Sequence, residues 1–288
     1  MDERNMQPKY KRQRFLLSYI RQLEEGVSAT DIQKLVFIYT MEEKSNYYEF
    51  IPYTYGPYSF QLAEDIEILC RDKYLTKDDT HIKAVGEYHN EQLFPVASER
   101  GRKLIKKTYR EYPYYAINSE ILGRLFGENE VAQFNNKRQM YLQQDQVMFT
   151  IGYEGKSIES LMNILIKNDI HLICDVRKNP LSRKFGFSKN KLEHIADRVG
   201  IKYVHIPELG IESEKRTSLN SENDYRCLFD AYAKTLPKLK PYLEKLYSLL
   251  CEDNRIALMC YEKEPEVCHR HVIRDYFVKT YKTRSMDL

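Results

Sequence analysis

RIALMCYEKEPEVCHRHVIRDYF, residues 255 to 277, reads as a short apolar strand, a polar loop and the opening of a helix. The strand ends at Cys260 and Glu262, and Cys268-His269-Arg270 begins the helical spacing. Upstream the same alternation repeats. MFTIGYEG (148 to 155) is a strand ending in Gly-x-x-Gly, and residues 157 to 168 carry Ile158, Leu161, Met162, Ile164 and Leu165 at helical spacing. HLICDVR (171 to 177) is apolar enough to be buried on both faces. A helix over 188 to 199, capped by Ser188, leads to a third strand, IKYVHIPELG. Residues 222 to 250 are mainly helical, broken near Pro237 and Pro241. Alternating strands and helices predict a parallel or mostly parallel sheet from residue 148 to 288.

In such sheets ligands collect beyond the carboxyl ends of the strands. There the sequence places Tyr153, Asp175, Arg177, Ser182, Arg183, Glu262, Cys268, His269 and Arg270. Arg177, Arg183 and Arg270 suit a phosphate, because guanidinium binds it bidentately and the last helix adds its N-terminal dipole. The alternative is that Arg177 pairs with Asp175. Asp175 and Glu262 are candidate acid and base, or salt-bridge partners. Cys268 stands at a helix start beside His269 and Arg270, which favours a thiolate nucleophile, or else it is a small buried residue. The Cys-x5-Arg spacing of a cysteine phosphatase is absent. Cys260, Cys268, His269 and His271 raise zinc, but the Cys260–Cys268 separation is too wide for a usual knuckle, so neither a metal nor a cofactor is expected.

Residues 1 to 140 read differently. Helical spacing over 10 to 25, a second helix from a Thr30 cap through Ile38, and a third begun by Ser59 precede Tyr74-Leu75 and His81 to Val85, which look like a small wing. That is the order of a winged helix-turn-helix. Lys11, Arg12 and Arg14 form one basic cluster, and Arg102, Lys103 and Lys106 another; they are candidate phosphate contacts or solvated helical faces. The tyrosines between 47 and 58 read as packing. Residues 127 to 146 are polar and weakly periodic, and the boundary is placed at about 140 to 147.

The whole chain of 288 residues carries a net charge of only +3, so any nucleic-acid surface must come from local clustering. No run of about 18 apolar residues occurs, and no signal peptide is read at the N-terminus. Six scattered cysteines then read as reduced thiols in a cytoplasm.

The segments TIGYEGKSIESL, DVRKNPLSRKFGFSK, KYVHIPELG and MCYEKEPEVCHRHVI, in that order, resemble the family catalogued as domain of unknown function 488 over residues 149 to 277. The resemblance implies a Rossmann-like α/β domain, its sheet covered by helices on both faces, and no established reaction. Carried over by position, its motif residues are Gly152, Tyr153, Gly155, Asp175, Arg177, Pro180, Ser182, Arg183, Glu262, Cys268, His269 and Arg270. DIQKLVFIY, FIPYTYGPYSFQLAEDIEIL and KYL, within residues 14 to 76, are similar to Panacea-type domains of phage-associated and antitoxin proteins.

The leading expectation is a hydrolase of nucleic acid, foremost DNA, or of a nucleotide. It would cleave a phosphodiester or remove a base, metal-independently, with Asp175 or Glu262 as acid–base. Two alternatives stand beside it: a non-enzymatic antitoxin-like regulatory protein, and a thiol enzyme using Cys268.

Overall fold

A computed structural model of the protein describes residues 7–86, 92–216 and 219–288. Two compact units divide the chain, residues 1–140 and 141–288.

The N-terminal unit is mostly helical. It runs α1 (Lys11–Arg21), α2 (Ala29–Glu42), the hairpin β1 (Ile51–Tyr53) and β2 (Gly56–Tyr58), α3 (Phe60–Arg71), a second hairpin β3 (Leu75–Lys77) and β4 (Ile82–Ala84), then α4 (Gly101–Glu111), α5 (Leu122–Leu125) and α6 (Glu128–Gln139). Ser59 caps α3, its hydroxyl accepting from the Leu62 amide at 3.2 Å. The expected cap of α2 is corrected by two residues. Ser28, not Thr30, accepts from the Asp31 amide at 3.0 Å, and the helix runs to Glu42. Phe15, Leu16, Tyr19, Leu35, Phe37 and Leu62 form the core. Most of the tyrosines pack as expected: Tyr47 stacks on Phe15 with ring centres 4.4 Å apart and Tyr48 and Tyr53 are buried, whereas Tyr55 is exposed. The polar stretch read as a boundary contains α6, which is held by one buried side chain, Phe134, against Tyr109 and Phe126.

The C-terminal unit holds a five-stranded, all-parallel sheet: β5 (Val147–Gly152), β6 (Leu172–Asp175), β7 (Lys202–His205), β8 (Arg255–Cys260) and β9 (Ser285–Asp287), in the order β7-β6-β8-β5-β9. Its helices are α7 (Ile158–Lys167), α8 (Lys189–Arg198), α9 (Glu222–Ala233), α10 (Lys240–Asp253) and α11 (Arg270–Tyr281). Right-handed crossovers distribute them. The steps from β5 to β6 and from β6 to β7 run one way across the sheet, which assigns α7 and α8 to one face. The steps to β8 and β9 run the other way, which puts α9, α10 and α11 on the opposite face. There Leu243, Leu246, Leu250, Ile273 and Phe277 pack on Met148, Leu172, Cys174, Ile256 and Leu258. The alternate strand residues Phe149, Ile151, Ile173, Ala257 and Met259 are also buried, so both faces are covered.

The strand order reverses direction between β6 and β8, because the chain leaves β6 toward β7 and leaves β8 toward β9. That reversal opens a crevice beyond the carboxyl ends of the two strands, beside the end of β5. Among the described residues no helix is long and apolar enough to cross a membrane.

Candidate active site

β5, β6 and β8 deliver different groups to the crevice. β5 ends at Gly152, whose lack of a side chain is required. A Cβ there would lie 1.8 Å from the Glu262 carbonyl oxygen. The loop after β8 therefore crosses directly over the end of β5. Tyr153 follows. Its ring stacks on Phe187 at 4.3 Å and meets Tyr261 edge-on at 5.3 Å.

β6 delivers Asp175 and Arg177, and here the pairing alternative holds. Arg177 Nη2 donates to Asp175 Oδ2 at 2.6 Å and Nε to Oδ1 at 2.8 Å, while Nη1 donates to the Tyr153 hydroxyl at 3.1 Å and the Phe187 carbonyl at 2.9 Å. Tyr203 donates to Asp175 Oδ2 at 2.6 Å, and the Arg177 amide donates to Oδ1 at 3.1 Å. Burial opposes a charged Arg177, yet the hydrogen bonds and charge of Asp175 outweigh it and push the guanidinium pKa up. Asp175 is fully buried and its oxygens are committed. It is corrected from a candidate acid–base to the anchor of Arg177. Burial and the Asp175 carboxylate likewise push the Tyr203 hydroxyl up.

Arg270 is corrected in the same way. It is fully buried, and its donors go to Thr150 Oγ1 (3.2 Å) and to the carbonyls of Glu262 (2.5 Å) and Lys263 (2.8 Å). It pins the loop after β8 to β5 rather than facing an anion. Arg183 differs: it is exposed on the loop after β6, lines the crevice, and has no partner among the described residues. Ser182 lines the crevice beside it, its hydroxyl accepting from the Lys184 amide at 3.2 Å.

β8 and α11 deliver the densest group. The eight-residue spacing that argued against a shared site is closed by a tight turn at Pro265–Val267, and the ligand atoms of Cys260, Cys268 and His269 lie within 4.8 Å of one another. His269 Nε2 is 2.9 Å from the Val176 carbonyl, which can only accept, so that nitrogen carries the proton and Nδ1 presents its lone pair. Nδ1 is 3.8 Å from Cys260 Sγ and 4.0 Å from Cys268 Sγ. Cys260 Sγ donates to Glu262 Oε2 at 3.4 Å. Burial alone would raise the Cys268 thiol. The neighbouring Cys260 sulfur and the charge of Arg270 act against it, and the thiol is held well below its ordinary value. Cys260, buried against the Cys268 sulfur, is pushed the other way. Burial and the nearby Cys268 charge raise Glu262 above the usual carboxylate range.

Sequence reasoning missed Arg216. Its Nη1 donates to Glu262 Oε1 at 2.5 Å and its Nη2 to His269 Nδ1 at 2.6 Å, while its buried Nε has no hydrogen-bond partner. It lies in a short turn between β7 and α9, where no periodic pattern marks it.

Arg177, Lys178, Arg183 and Arg216 line a cleft of about 340 Å³ together with Tyr153, Ser182, Tyr261, Cys260 and His269. Glu262 stands at its edge through Arg216. Cys268 is fully buried and does not line it, so a thiol reaction at Cys268 has no direct access from the cleft.

In the N-terminal unit the basic residues divide. Arg12 is bound at 2.6 Å to the buried Asp65, and Arg14 donates to the Pro8 carbonyl at 3.1 Å. Lys11, Arg102 and Lys103 are exposed, Arg102 also donating to the Arg124 carbonyl at 2.6 Å, and Lys106 lies over the Phe126 ring at 5.5 Å.

No curated protein and no solved structure matches the chain. Residues 157–277 do match a family model, the one described as domain of unknown function DUF488.

Proposed function

We propose that the C-terminal unit is a hydrolase for a phosphorylated, ring-bearing substrate of the nucleotide or nucleic-acid type. The supporting observation is the cleft, where four cationic side chains and two tyrosines meet at the strand-order reversal. Arg183 has its full set of donors for a phosphate, and Arg216 brings its unpartnered Nε. Tyr153 and Tyr261 offer aromatic surface on which a base can stack. Glu262 takes the acid–base role that Asp175 is too enclosed to play. Its Oε2, held only by the long 3.4 Å contact with the Cys260 thiol, accepts a proton from the attacking water as the scissile bond breaks, and returns it to the leaving group. The exposed basic face of α4 and the exposed Lys11 of α1, in a unit resembling Panacea-type domains, supply sequence-independent contacts to the polymer's phosphates.

The test is turnover on single- and double-stranded DNA and RNA, with and without modified bases, resolved on denaturing gels before and after alkali. Direct strand breaks identify phosphodiester cleavage, and breaks appearing only after alkali identify base removal. Salt-sensitive binding without turnover leaves a regulatory binding protein instead. Neither binding nor turnover refutes the nucleic-acid reading.

A further inference from the structure

Cys260, Cys268 and His269 form a group that neither the anion cleft nor the Glu262 chemistry uses. All three are buried, they come from the end of β8 and the start of α11, and their ligand atoms converge. We infer that they are the ligands of one soft divalent cation of the zinc class, bound through Cys260 Sγ, Cys268 Sγ and His269 Nδ1. The fourth position faces the cleft.

Three observations carry this. The first is distance. Tetrahedral zinc binds sulfur at about 2.3 Å and nitrogen at about 2.0–2.1 Å, which sets sulfur and nitrogen ligands roughly 3.6 Å apart. The two sulfurs stand 3.8 and 4.0 Å from His269 Nδ1, so shifts of a few tenths of an ångström complete the shell. The second is the tautomer. A metal-binding histidine usually donates its other N–H to a carbonyl or carboxylate, which fixes the ring and frees the ligating lone pair. His269 Nε2 on the Val176 carbonyl at 2.9 Å is that arrangement. The third is the occupant. The guanidinium of Arg216 bonds Nδ1 at 2.6 Å and Glu262 at 2.5 Å while its own buried Nε finds no acceptor. A cation is drawn to this point, and the one there is imperfectly satisfied. An ion that takes Nδ1 releases Arg216 toward the cleft it already lines, where an anionic ligand can satisfy Nε.

Only Cys260 and His269 of the three line the cleft, so the fourth position opens there, with Glu262 beside it. Three protein ligands with an open place are the pattern of an ion that binds water or substrate, whereas closed four-ligand shells are structural. The inference stands on the ligand geometry alone. It survives if the cleft's substrate is not a nucleotide, and the proposed hydrolysis can fail without it.

The experiment uses the full-length chain, reduced and stripped with a chelator, then titrated with Co²⁺ and back-titrated with Zn²⁺. The expected result is about one Co²⁺ per chain, with thiolate-to-cobalt charge-transfer absorption and the strong visible bands of tetrahedral cobalt, displaced by Zn²⁺. Cys260→Ser and Cys268→Ser each weaken binding at least about tenfold, and Cys251→Ser does not. A serine in the core can compromise folding, so the wild-type chain supplies a second readout. Zn²⁺ slows alkylation of Cys260, the thiol of the pair that lines the cleft, and leaves the exposed Cys227 and Cys251 unchanged. Arg216→Ala, which removes the competing cation, binds Co²⁺ at least as tightly as wild type. The inference is overturned if no charge-transfer band appears, if Zn²⁺ leaves alkylation of Cys260 unchanged, or if Arg216→Ala abolishes binding. A Cys260–Cys268 disulfide that forms under the same conditions whether or not Zn²⁺ is present also overturns it, in favour of a thiol pair.

Discussion

Each unit buries one aspartate completely and answers it with the same chemistry. In the N-terminal unit Asp65 accepts from Arg12 Nε at 2.6 Å, Gln13 Nε2 at 2.8 Å and the Tyr48 hydroxyl at 3.0 Å. In the C-terminal unit Asp175 accepts from Arg177 and from the Tyr203 hydroxyl at 2.6 Å. The first cluster lies among the aromatic side chains of a core, the second at the mouth of a cleft. The difference between them is in the neighbours. Beyond Asp65 no buried donor or acceptor of the cluster is left over among the described residues, and its work is to hold α1 to α3. Beyond Asp175 stand Glu262, Cys260, Cys268, His269 and Arg216, with an orphaned guanidinium nitrogen among them. A saturated buried ion pair is scaffold, wherever it lies. An unsaturated group beside an opening is where chemistry is to be sought.

That comparison breaks if removing either aspartate leaves its unit's stability unchanged. Asp175→Ala is expected to destabilise its unit by about 3–5 kcal/mol, because the buried Arg177 loses its counter-charge, and Asp65→Ala its own unit by less, because Arg12 is partly exposed. Urea denaturation followed by a probe in each unit checks this. A loss of turnover in Asp175→Ala without loss of stability would return Asp175 to the catalytic group.

Lys34 sharpens the comparison, because it is a buried cation without a carboxylate in contact. Its ammonium donates to the Pro57 carbonyl at 3.2 Å, and burial lowers its pKa to about 7. The ordinary value in the unfolded chain is about 10.4, so between these pH values the unfolded state binds more protons and stability rises with pH. Below about pH 7 both states are protonated and the full cost of burying the charge is present. Lys34→Met is therefore expected to stabilise the N-terminal unit by about 2 kcal/mol or more at pH 6, and to flatten the rise from pH 7 to 10. Equal pH slopes in the two proteins would contradict the assignment.

Gly152→Ala probes the close crossing of the loop after β8 over β5. A Cβ at 1.8 Å from the Glu262 carbonyl must displace that loop, at an expected cost of about 1–3 kcal/mol. Turnover should fall further than stability accounts for, since Glu262 moves with it. Thermal melts and initial rates measured on the same sample separate the two. Smallest of all in stability is Arg183→Ala, expected within about 0.5 kcal/mol of wild type because the side chain is exposed and unpaired. Its effect belongs to binding, as an approximately tenfold loss of affinity for a phosphorylated ligand and a shallower salt dependence.

The sequence made the α/β half legible because its strands are continuous apolar runs and its helices keep one apolar side. β9 escaped. Ser285–Asp287 is three residues long and mostly exposed, and it follows Lys282 in the left-handed region at φ 57°, so no alternation announces it. α6 was hidden for the opposite reason, since one buried phenylalanine is too little to set a period. At the site, residue types were readable and their saturation was not. Arg177 and Arg183 look alike in sequence, yet one is consumed by Asp175 and the other is free. Arg216 meets partners 46 and 53 residues away. At Cys260, Cys268 and His269 spacing along the chain misled, because the turn at Pro265–Val267 doubles the loop back.

The central claim, that the unsaturated group at the cleft performs hydrolysis on the bound anion, meets its most direct test in Glu262→Gln. The measurement is single-turnover reaction and binding of one oligonucleotide that the wild-type chain processes, in wild type and variant side by side. The expected result is binding within about twofold of wild type with turnover reduced at least about a hundredfold, as for loss of an acid–base group. Turnover near the wild-type rate at unchanged binding would contradict the account.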